Sequence, residues 1–167
     1  MSAVVIDENV LIVAEKQIAD EFTDLTCIKN CQEALKTARG QITVLDVGGM
    51  VLQKYIKHFK PIRRKGFEFE GTEFLIWLFD AQHDPRYCEQ VKITALEPSF
   101  LEVPLELRIP DAENKVFDLD DHIWLAAAKA SKNSPTILNA TDSDWKNWEQ
   151  QLLKHGFDIR CICQLKI

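Results

Sequence analysis

The sequence is poor in the features that define several protein classes. Glycine and proline account for only 6 residues each out of 167, which excludes collagen-like repeats and Gly/Pro-rich disordered segments. No apolar run approaches the roughly 20 residues that a membrane-spanning helix needs, and the chain opens directly on strand-like residues 4–6. We therefore expect a cytoplasmic protein without a membrane partner.

Motifs for covalent or nucleotide chemistry are also missing. The chain has no Gly-rich phosphate loop and no GxSxG motif, so neither a P-loop nor a serine nucleophile is predicted. The five cysteines include no CxxC pair: Cys27 and Cys31 are four residues apart, Cys161 and Cys163 two apart, and Cys88 stands alone. Either pair could ligate a metal, but neither has the usual zinc-site spacing. Reduced thiols in a cytosolic protein are the better interpretation.

The chain also lacks an overall excess of positive charge. Twenty Lys and Arg against 26 Asp and Glu give a formal net charge of −6, which argues against electrostatic binding of nucleic acid over the whole surface. Positive charge is concentrated instead in residues 54–65, KYIKHFKPIRRK, which contain no acid. We predict that the cations of this segment bind nucleic acid: Lys54, Lys57, Lys60, Arg63, Arg64 and Lys65. Tyr55, His58 and Phe59 could stack on RNA bases, or they could be core residues at helical spacing.

Apolar runs of strand length alternate with segments of helical periodicity along the whole chain. The strand-like runs are residues 2–7, 42–45, 91–96, 136–138 and 159–163. This alternation predicts a single α/β domain over residues 1–167, a three-layer α/β/α sandwich around a mainly parallel sheet. At this length the chain can bury a core without disulfides or structural metals.

Acidic residues stand at the predicted strand and helix ends, where parallel sheets place their ligand sites. These residues are Asp7, Asp46, Asp120, Asp121, Asp142 and Asp144. Carboxylates that meet within about 4 Å repel by about 4 kcal/mol per pair at an effective dielectric near 20, so a divalent cation such as Mg²⁺ or Mn²⁺ would neutralise them. The competing interpretation is that each acid caps a helix or lies in a solvated loop.

Three stretches resemble, in order, the PIN-domain family of metal-dependent ribonucleases. Residues 4–11, VVIDENVL, are similar to its opening strand with an Asp-x-Asn motif, residues 121–128, DHIWLAAA, to its Asp-led helix, and residues 139–145, NATDSDW, to its closing acidic turn. The resemblance implies catalytic and metal-binding roles that we assign to Asp7, Asp121, Asp142 and Asp144. Asn9 and Asp120 are assigned supporting roles.

A fourth stretch, residues 45–55, is similar to the second strand and helix of the family but departs from its pattern. The family places an acid on this helix before an aromatic or apolar position, whereas here Gln53 and Lys54 precede Tyr55. Neither side chain can replace a carboxylate ligand. Either Asp46 compensates as an additional metal ligand, or the site binds metal weakly.

The resemblance implies a Mg²⁺- or Mn²⁺-dependent endoribonuclease that cleaves single-stranded or structured RNA with a metal-activated water. Small free-standing members are often toxins of toxin–antitoxin pairs, so a small protein antitoxin and a homodimer are expected. The first alternative is a PIN-like module with weakened catalysis that binds RNA or protein. The second is a receiver domain with Asp46 as phosphoacceptor, which the 39-residue spacing from Asp7 and the missing late-strand lysine disfavour.

The tryptophans and one histidine receive structural predictions. Trp77, Trp124, Trp145 and Trp148 fall on apolar helical faces and are predicted to pack in the core. His122 follows Asp121, and one helical position rotates a side chain by about 100°. We therefore expect His122 at the surface or behind the site.

Overall fold

The structure, a computed structural model, describes residues 2–58 and 69–164. The strands are β1 (Ala3–Ile6), β2 (Ile42–Asp46), β3 (Cys88–Val91), β4 (Ala95–Leu96), β5 (Ser99–Phe100), β6 (Thr136–Asn139) and β7 (Asp158–Cys161). The helices are α1 (Glu8–Ala14), α2 (Leu25–Ala38), α3 (Met50–His58), α4 (Glu70–Ala81), α5 (Leu105–Arg108), α6 (His122–Ala130), α7 (Asp144–Asn147) and α8 (Glu149–Lys154).

Five strands form a central sheet in the order β3-β2-β1-β6-β7, and every neighbouring pair is parallel. β1 lies at the centre, where Ala3 is paired with Ile42 of β2 and Val4 with Thr136 of β6. All four residues of β1 are buried, which accounts for its continuous apolar sequence, since a central parallel strand is covered on both faces. The predicted parallel sheet is therefore confirmed.

Helices cover both faces of the sheet. The chain steps from β1 to β2 to β3 in one direction and then returns to β6 and β7, so right-handed crossovers put the two groups of connecting helices on opposite faces. On one face α1, α2 and α4 pack together, and on the other α6 packs against β1 and β2. This is the three-layer sandwich that the sequence predicts. Among the described residues, no helix is long and apolar enough to cross a lipid bilayer.

The edge strand lies earlier than the sequence predicts. β3 ends at Val91, where the predicted strand of residues 91–96 begins. β3 carries polar Glu89 and Gln90 between its buried ends, so it lacks the apolar run that marks a covered strand. The residues beyond it form an antiparallel hairpin of β4 and β5, followed by α5. Near the C-terminus, α7 and α8 are separated at Trp148.

The cysteines differ from the prediction of reduced thiols. Cys27 of α2 and Cys163, which follows β7, form a disulfide across a sequence separation of 136 residues. Cys31 and Cys88 are free and buried, and Cys161 is free and exposed. The sequence spacing gave no sign of this bond because its partners come together only when α2 packs beside the end of β7.

Candidate metal centre

Three of the predicted carboxylates meet at one edge of the sheet. Asp7, Asp121 and Asp142 each offer a carboxylate oxygen, and these oxygens lie within 4.8 Å of one another. Asp7 follows β1, Asp121 precedes α6, and Asp142 lies in the loop after β6. At this separation two full charges repel by about 3 kcal/mol even at an effective dielectric near 20. The group therefore needs protons or a cation.

Asp7 is held by two hydrogen bonds in the interior. Its Oδ1 accepts from the backbone N–H of Asn9 at 3.1 Å, which caps α1, and its Oδ2 accepts from Trp145 Nε1 at 2.9 Å. Burial raises the pKa of Asp7 well above its usual value, and Glu8 and then the charge of Asp121 add to the increase. Asp7 is thus a fixed, buried carboxyl whose ionised form needs a positive partner.

Asp121 stands in the N-cap position of α6 but does not use its side chain as a cap. Its Oδ2 is buried and has no hydrogen-bond partner among the described residues. Burial, followed by the charge of Asp142, raises the pKa of Asp121 to about 8. The helix-capping interpretation is therefore wrong for this residue. An unpartnered buried carboxylate oxygen is costly, and a bound cation would remove that cost.

Asp142 and Asp144 lie in the turn that leads from β6 into α7. The half-buried Asp142 accepts a hydrogen bond at Oδ1 from the backbone N–H of Asp144 at 2.9 Å. Asp144 itself lies outside the three-carboxylate group. Burial, followed by the charge of Asp142, raises the pKa of Asp144. Asp144 thus adds negative charge near the centre and fixes the orientation of Asp142 through its backbone.

Two asparagines tie the ends of β1 and β6 together beneath the carboxylates. Asn139, which is completely buried, accepts at Oδ1 from Asn9 Nδ2 at 2.8 Å and from the N–H of Asp142 at 3.2 Å. It donates from Nδ2 to the carbonyl of Asp142 at 2.8 Å, while Asn9 Oδ1 accepts from the N–H of Ala140 at 2.8 Å. This network sets the separation of Asp7 and Asp142.

A lysine lies beside the acids. Lys54 Nζ lies 3.6 Å from Glu8 Oε1, donates to the carbonyl of Asp120 and is 5.9 Å from the centroid of the Trp124 ring. Its charge opposes the increase in the pKa of Asp121, which burial dominates. The residue that departs from the PIN-domain pattern is therefore part of the same electrostatic environment as Asp121.

Asp46 occupies a different place from the one predicted. It is buried and caps α3: Oδ2 accepts from the N–H of Met50 at 3.0 Å and Oδ1 from that of Val51 at 2.7 Å. The turn between Asp46 and α3 is tight: Gly49 has a φ of +75°, and a Cβ at Gly48 would lie 3.0 Å from Asp46 Oδ2. Asp46 lies outside the three-carboxylate group, which corrects its assignment as a metal ligand. With both oxygens bonded to backbone, it is also a poor phosphoacceptor.

The basic segment is described only at its start. Lys57 is exposed on α3, whereas Lys60, Arg63, Arg64, Lys65 and Phe59 lie outside the described residues. Tyr55 is buried, donates its hydroxyl to the carbonyl of Ile6 at 2.6 Å and stacks on Trp124 at 5.5 Å between ring centroids. Tyr55 is therefore a core residue and not a base-stacking surface.

Two neighbours of Asp121 also differ from, or refine, the predictions. His122 is completely buried: its Nδ1 lies 2.6 Å from Ser99 Oγ and its Nε2 lies 3.1 Å from the carbonyl of Phe117. Burial lowers the pKa of His122. Because the side chain is buried, the surface position, one of the two expected for it, is wrong. The side chain of Asp120 is exposed, and only its carbonyl, through Lys54, contacts the centre.

Sequence reasoning missed roles for four residues. Glu8 lies inside a quoted motif but was assigned no function, and Asn139 was treated only as the first residue of the acidic turn. Trp145 was predicted as core and is buried, yet it also donates to Asp7. Asp118 contributes negative charge near Asp121. Asn139 gave a usable signal, because a polar residue that ends a buried strand needs hydrogen-bond partners.

The donor set fits a hard divalent cation. It consists of carboxylate oxygens from three separate segments, which is the ligand chemistry that Mg²⁺ and Mn²⁺ favour. One of the three residues, Asp121, has a buried oxygen, Oδ2, without a partner in the described part of the chain. No protein-family model, no curated protein and no solved structure matches this chain.

Proposed function

We propose that the protein is a metal-dependent endoribonuclease of the PIN-domain type. The observation that carries the proposal is the meeting of Asp7, Asp121 and Asp142 within 4.8 Å, with Asp121 Oδ2 buried and unpartnered within residues 2–58 and 69–164. A purely structural acidic cluster would be expected to satisfy that oxygen with a donor of the chain. A buried carboxylate oxygen without such a donor favours a cation site instead.

The three aspartates would hold Mg²⁺ or Mn²⁺, and Asp144 would support Asp142 from the adjacent turn. When bound, the cation supplies Lewis-acid chemistry, lowering the pKa of a water molecule and offsetting charge on the phosphodiester. The chain's own contribution is orientation: Trp145 and Asn9 fix the Asp7 carboxylate, and Asn139 fixes the backbone of Asp142. Such supporting hydrogen bonds restrict a ligand to one geometry.

The start of the basic segment supports an RNA substrate. Lys54 brings positive charge beside the carboxylates, and Lys57 presents an exposed ammonium nearby on α3. Cations next to an acidic metal pocket attract the phosphates that flank the scissile bond. Lys54 would thus neutralise part of the substrate charge that the carboxylates repel.

The family resemblance extends the proposal to partners. It suggests a small protein antitoxin that covers the centre, a homodimer and a cytoplasmic location. The antitoxin would act by blocking access of RNA to Asp142, the least buried of the three aspartates.

A PIN-like RNA-binding module with weakened catalysis is the second candidate. Lys54 favours it, because this lysine stands on the helix where the family has an acid and its charge opposes that of an incoming cation. The module would bind RNA through its basic segment without metal-dependent cleavage.

Cleavage of end-labelled single-stranded RNA separates the two candidates. We would compare wild type, Asp142→Asn and the control Asp80→Asn, which makes the same chemical change at an exposed position on α4. Each protein is tested with Mn²⁺, with Mg²⁺ and with EDTA, with single-stranded DNA as a second substrate, and RNA binding is measured in parallel.

The nuclease requires cleavage of RNA by wild type and Asp80→Asn that stops in EDTA and falls at least about 100-fold in Asp142→Asn. Absence of cleavage, together with RNA binding that is equal in all three proteins, would transfer the assignment to the binding module. Cleavage that persists in EDTA or in Asp142→Asn would contradict the proposed centre.

A further inference from the structure

A second group of metal-ligating side chains lies away from the carboxylates. Cys27, Cys31 and Cys163 are all buried, and their three Sγ atoms lie within 4.8 Å of one another. Cys27 and Cys31 are one helical turn apart on α2, so both face the same side, and Cys163 reaches them from the end of β7. Three of the five cysteines of the chain thus converge from segments more than 130 residues apart.

The disulfide does not explain why Cys31 lies beside Cys27 and Cys163. Cys27 and Cys163 are bonded to each other, and Cys31 Sγ lies 3.8 Å from Cys163 Sγ. Thiol–disulfide exchange requires the attacking sulfur to stand in line with the bond that breaks. An in-line Cys31 would lie roughly 5.8 Å from Cys27, one S–S bond of about 2 Å farther than from Cys163. All three sulfurs lie within 4.8 Å of each other, so the arrangement is a compact triangle and not a line.

Once the Cys27–Cys163 bond is reduced, the three sulfurs are close enough together to ligate a single thiophilic ion. Zinc–thiolate bonds of about 2.3 Å in a tetrahedral site place neighbouring sulfurs about 3.8 Å apart. The separation of Cys31 and Cys163 already has this value, 3.8 Å. Three protein ligands leave one coordination position for a water molecule, as in other three-ligand zinc sites.

We infer that the reduced protein binds one Zn²⁺ ion through Cys27, Cys31 and Cys163. This site is independent of the three-aspartate centre, since soft thiolates select zinc whereas carboxylates select harder cations. The ion would join α2 to the end of β7 in reduced protein, as the disulfide joins them in oxidised protein.

Reduction of the disulfide, followed by zinc binding, converts the oxidised protein into the metal-bound protein. A dithiol reductant gives two electrons and two protons to the Cys27–Cys163 bond and becomes a disulfide itself. Cys27, Cys31 and Cys163 are then three thiols, and Zn²⁺ displaces one proton from each. Cytosolic conditions keep thiols reduced, so the metal-bound state is the one expected in that compartment.

Cobalt is a suitable probe, because sulfur-to-Co²⁺ charge transfer reports thiolate ligands and is not produced by carboxylates. Reduced protein is titrated with Co²⁺ and then with Zn²⁺ in wild type, Cys31→Ser, Cys31→Ala and Cys88→Ser. Cys88 is the matched control, since it is also free and buried but lies outside the triangle. Circular dichroism verifies that each variant is folded, and a parallel titration uses oxidised wild type.

We expect one Co²⁺ per chain with the charge-transfer band in reduced wild type and Cys88→Ser, and its displacement by Zn²⁺. Both Cys31 variants should lose at least about 100-fold in affinity, and oxidised wild type should show no band. A reduced wild type without the band, or folded Cys31 variants that bind like wild type, would overturn the inference. A charge-transfer band of equal intensity in oxidised and reduced protein would overturn it as well.

Discussion

The Lys54 ammonium lies 3.6 Å from Oε1 of Glu8, at the edge of the group formed by Asp7, Asp121 and Asp142. The same ammonium donates to the carbonyl of Asp120, so the backbone before Asp121 is fixed by a residue of α3. A positive charge of the chain therefore offsets part of the carboxylate repulsion. It also competes with any cation that binds there.

Replacement of Lys54 should consequently separate metal binding from substrate binding. Lys54→Met keeps the apolar stem and removes the charge, so Mn²⁺ should bind about fivefold more tightly, a gain of about 1 kcal/mol. RNA cleavage should fall about tenfold, because the flanking phosphate loses its partner. Calorimetric titration with Mn²⁺ and initial cleavage rates measure the two effects. Lys57→Met, at an exposed position on the same helix, is the control and should leave Mn²⁺ affinity unchanged; weaker Mn²⁺ binding in Lys54→Met would contradict this account.

The hydrogen bond from Trp145 to Asp7 can be tested against a second buried tryptophan. Trp145 and Trp124 are both completely buried, but Trp124 Nε1 has no hydrogen-bond partner in the described part of the chain. Trp145→Phe and Trp124→Phe should therefore lose similar ring contacts, each at a cost of about 1–3 kcal/mol. Trp145→Phe alone should weaken Mn²⁺ binding, by about tenfold. Equal Mn²⁺ affinities in the two variants would show that the bond to Asp7 does not orient the ligand.

The layers of the fold could be predicted because they follow from apolar periodicity. The apolar runs around residues 4–6, 42–45 and 136–138 are covered on both faces in the structure, which is the condition that produces continuous apolar runs. Apolar periodicity does not predict β3, because β3 is an edge strand with polar Glu89 and Gln90. Local sequence cannot distinguish such a strand from a loop.

The sequence predicts which carboxylates of the candidate centre come together where their positions follow from the ends of the strands. Asp7 and Asp142 follow neighbouring parallel strands, so their approach follows from topology. Asp46 follows a neighbouring strand too, but the turn at Gly48 and Gly49 directs its oxygens to the first turn of α3. Whether the Asp46 carboxylate faces α3 or the other carboxylates depends on the geometry of this turn and side chain, which the strand pattern does not give. The meeting of Cys27 with Cys163 depends on how α2 packs, which spacing along the chain does not encode.

The asparagine pair offers a test of how the ligands are positioned. Asn9 Nδ2 donates to Asn139 Oδ1 at 2.8 Å, and each residue also bonds the backbone of the loop after β6. Asn9→Ala and Asn139→Ala should each weaken Mn²⁺ binding by about tenfold or more. In a double-mutant cycle of unfolding free energies the two changes should be coupled by about 1 kcal/mol, because either one breaks the shared bond. Additive effects within about 0.3 kcal/mol would mean that the pair does not act as a unit.

The raised pKa of Asp121 predicts an unusual dependence of stability on pH. Its value of about 8 in the folded protein lies above that of an unfolded chain, about 3.9, so between these limits the folded state binds a proton that the unfolded state has released. In EDTA the free energy of unfolding should therefore fall as pH rises, and Asp121 contributes about 4 kcal/mol of this fall between pH 5 and 8. Asp121→Asn should remove that contribution, while the raised pKa of Asp7 keeps a slope of the same sign. Saturating Mn²⁺ should remove this slope, because the cation replaces the proton and the folded and unfolded states then both hold the carboxylates ionised. Urea denaturation at several pH values, with Asp80→Asn as the exposed control, measures these slopes. A metal-free wild type with the same slope as Asp121→Asn would show that Asp121 is already ionised without a cation.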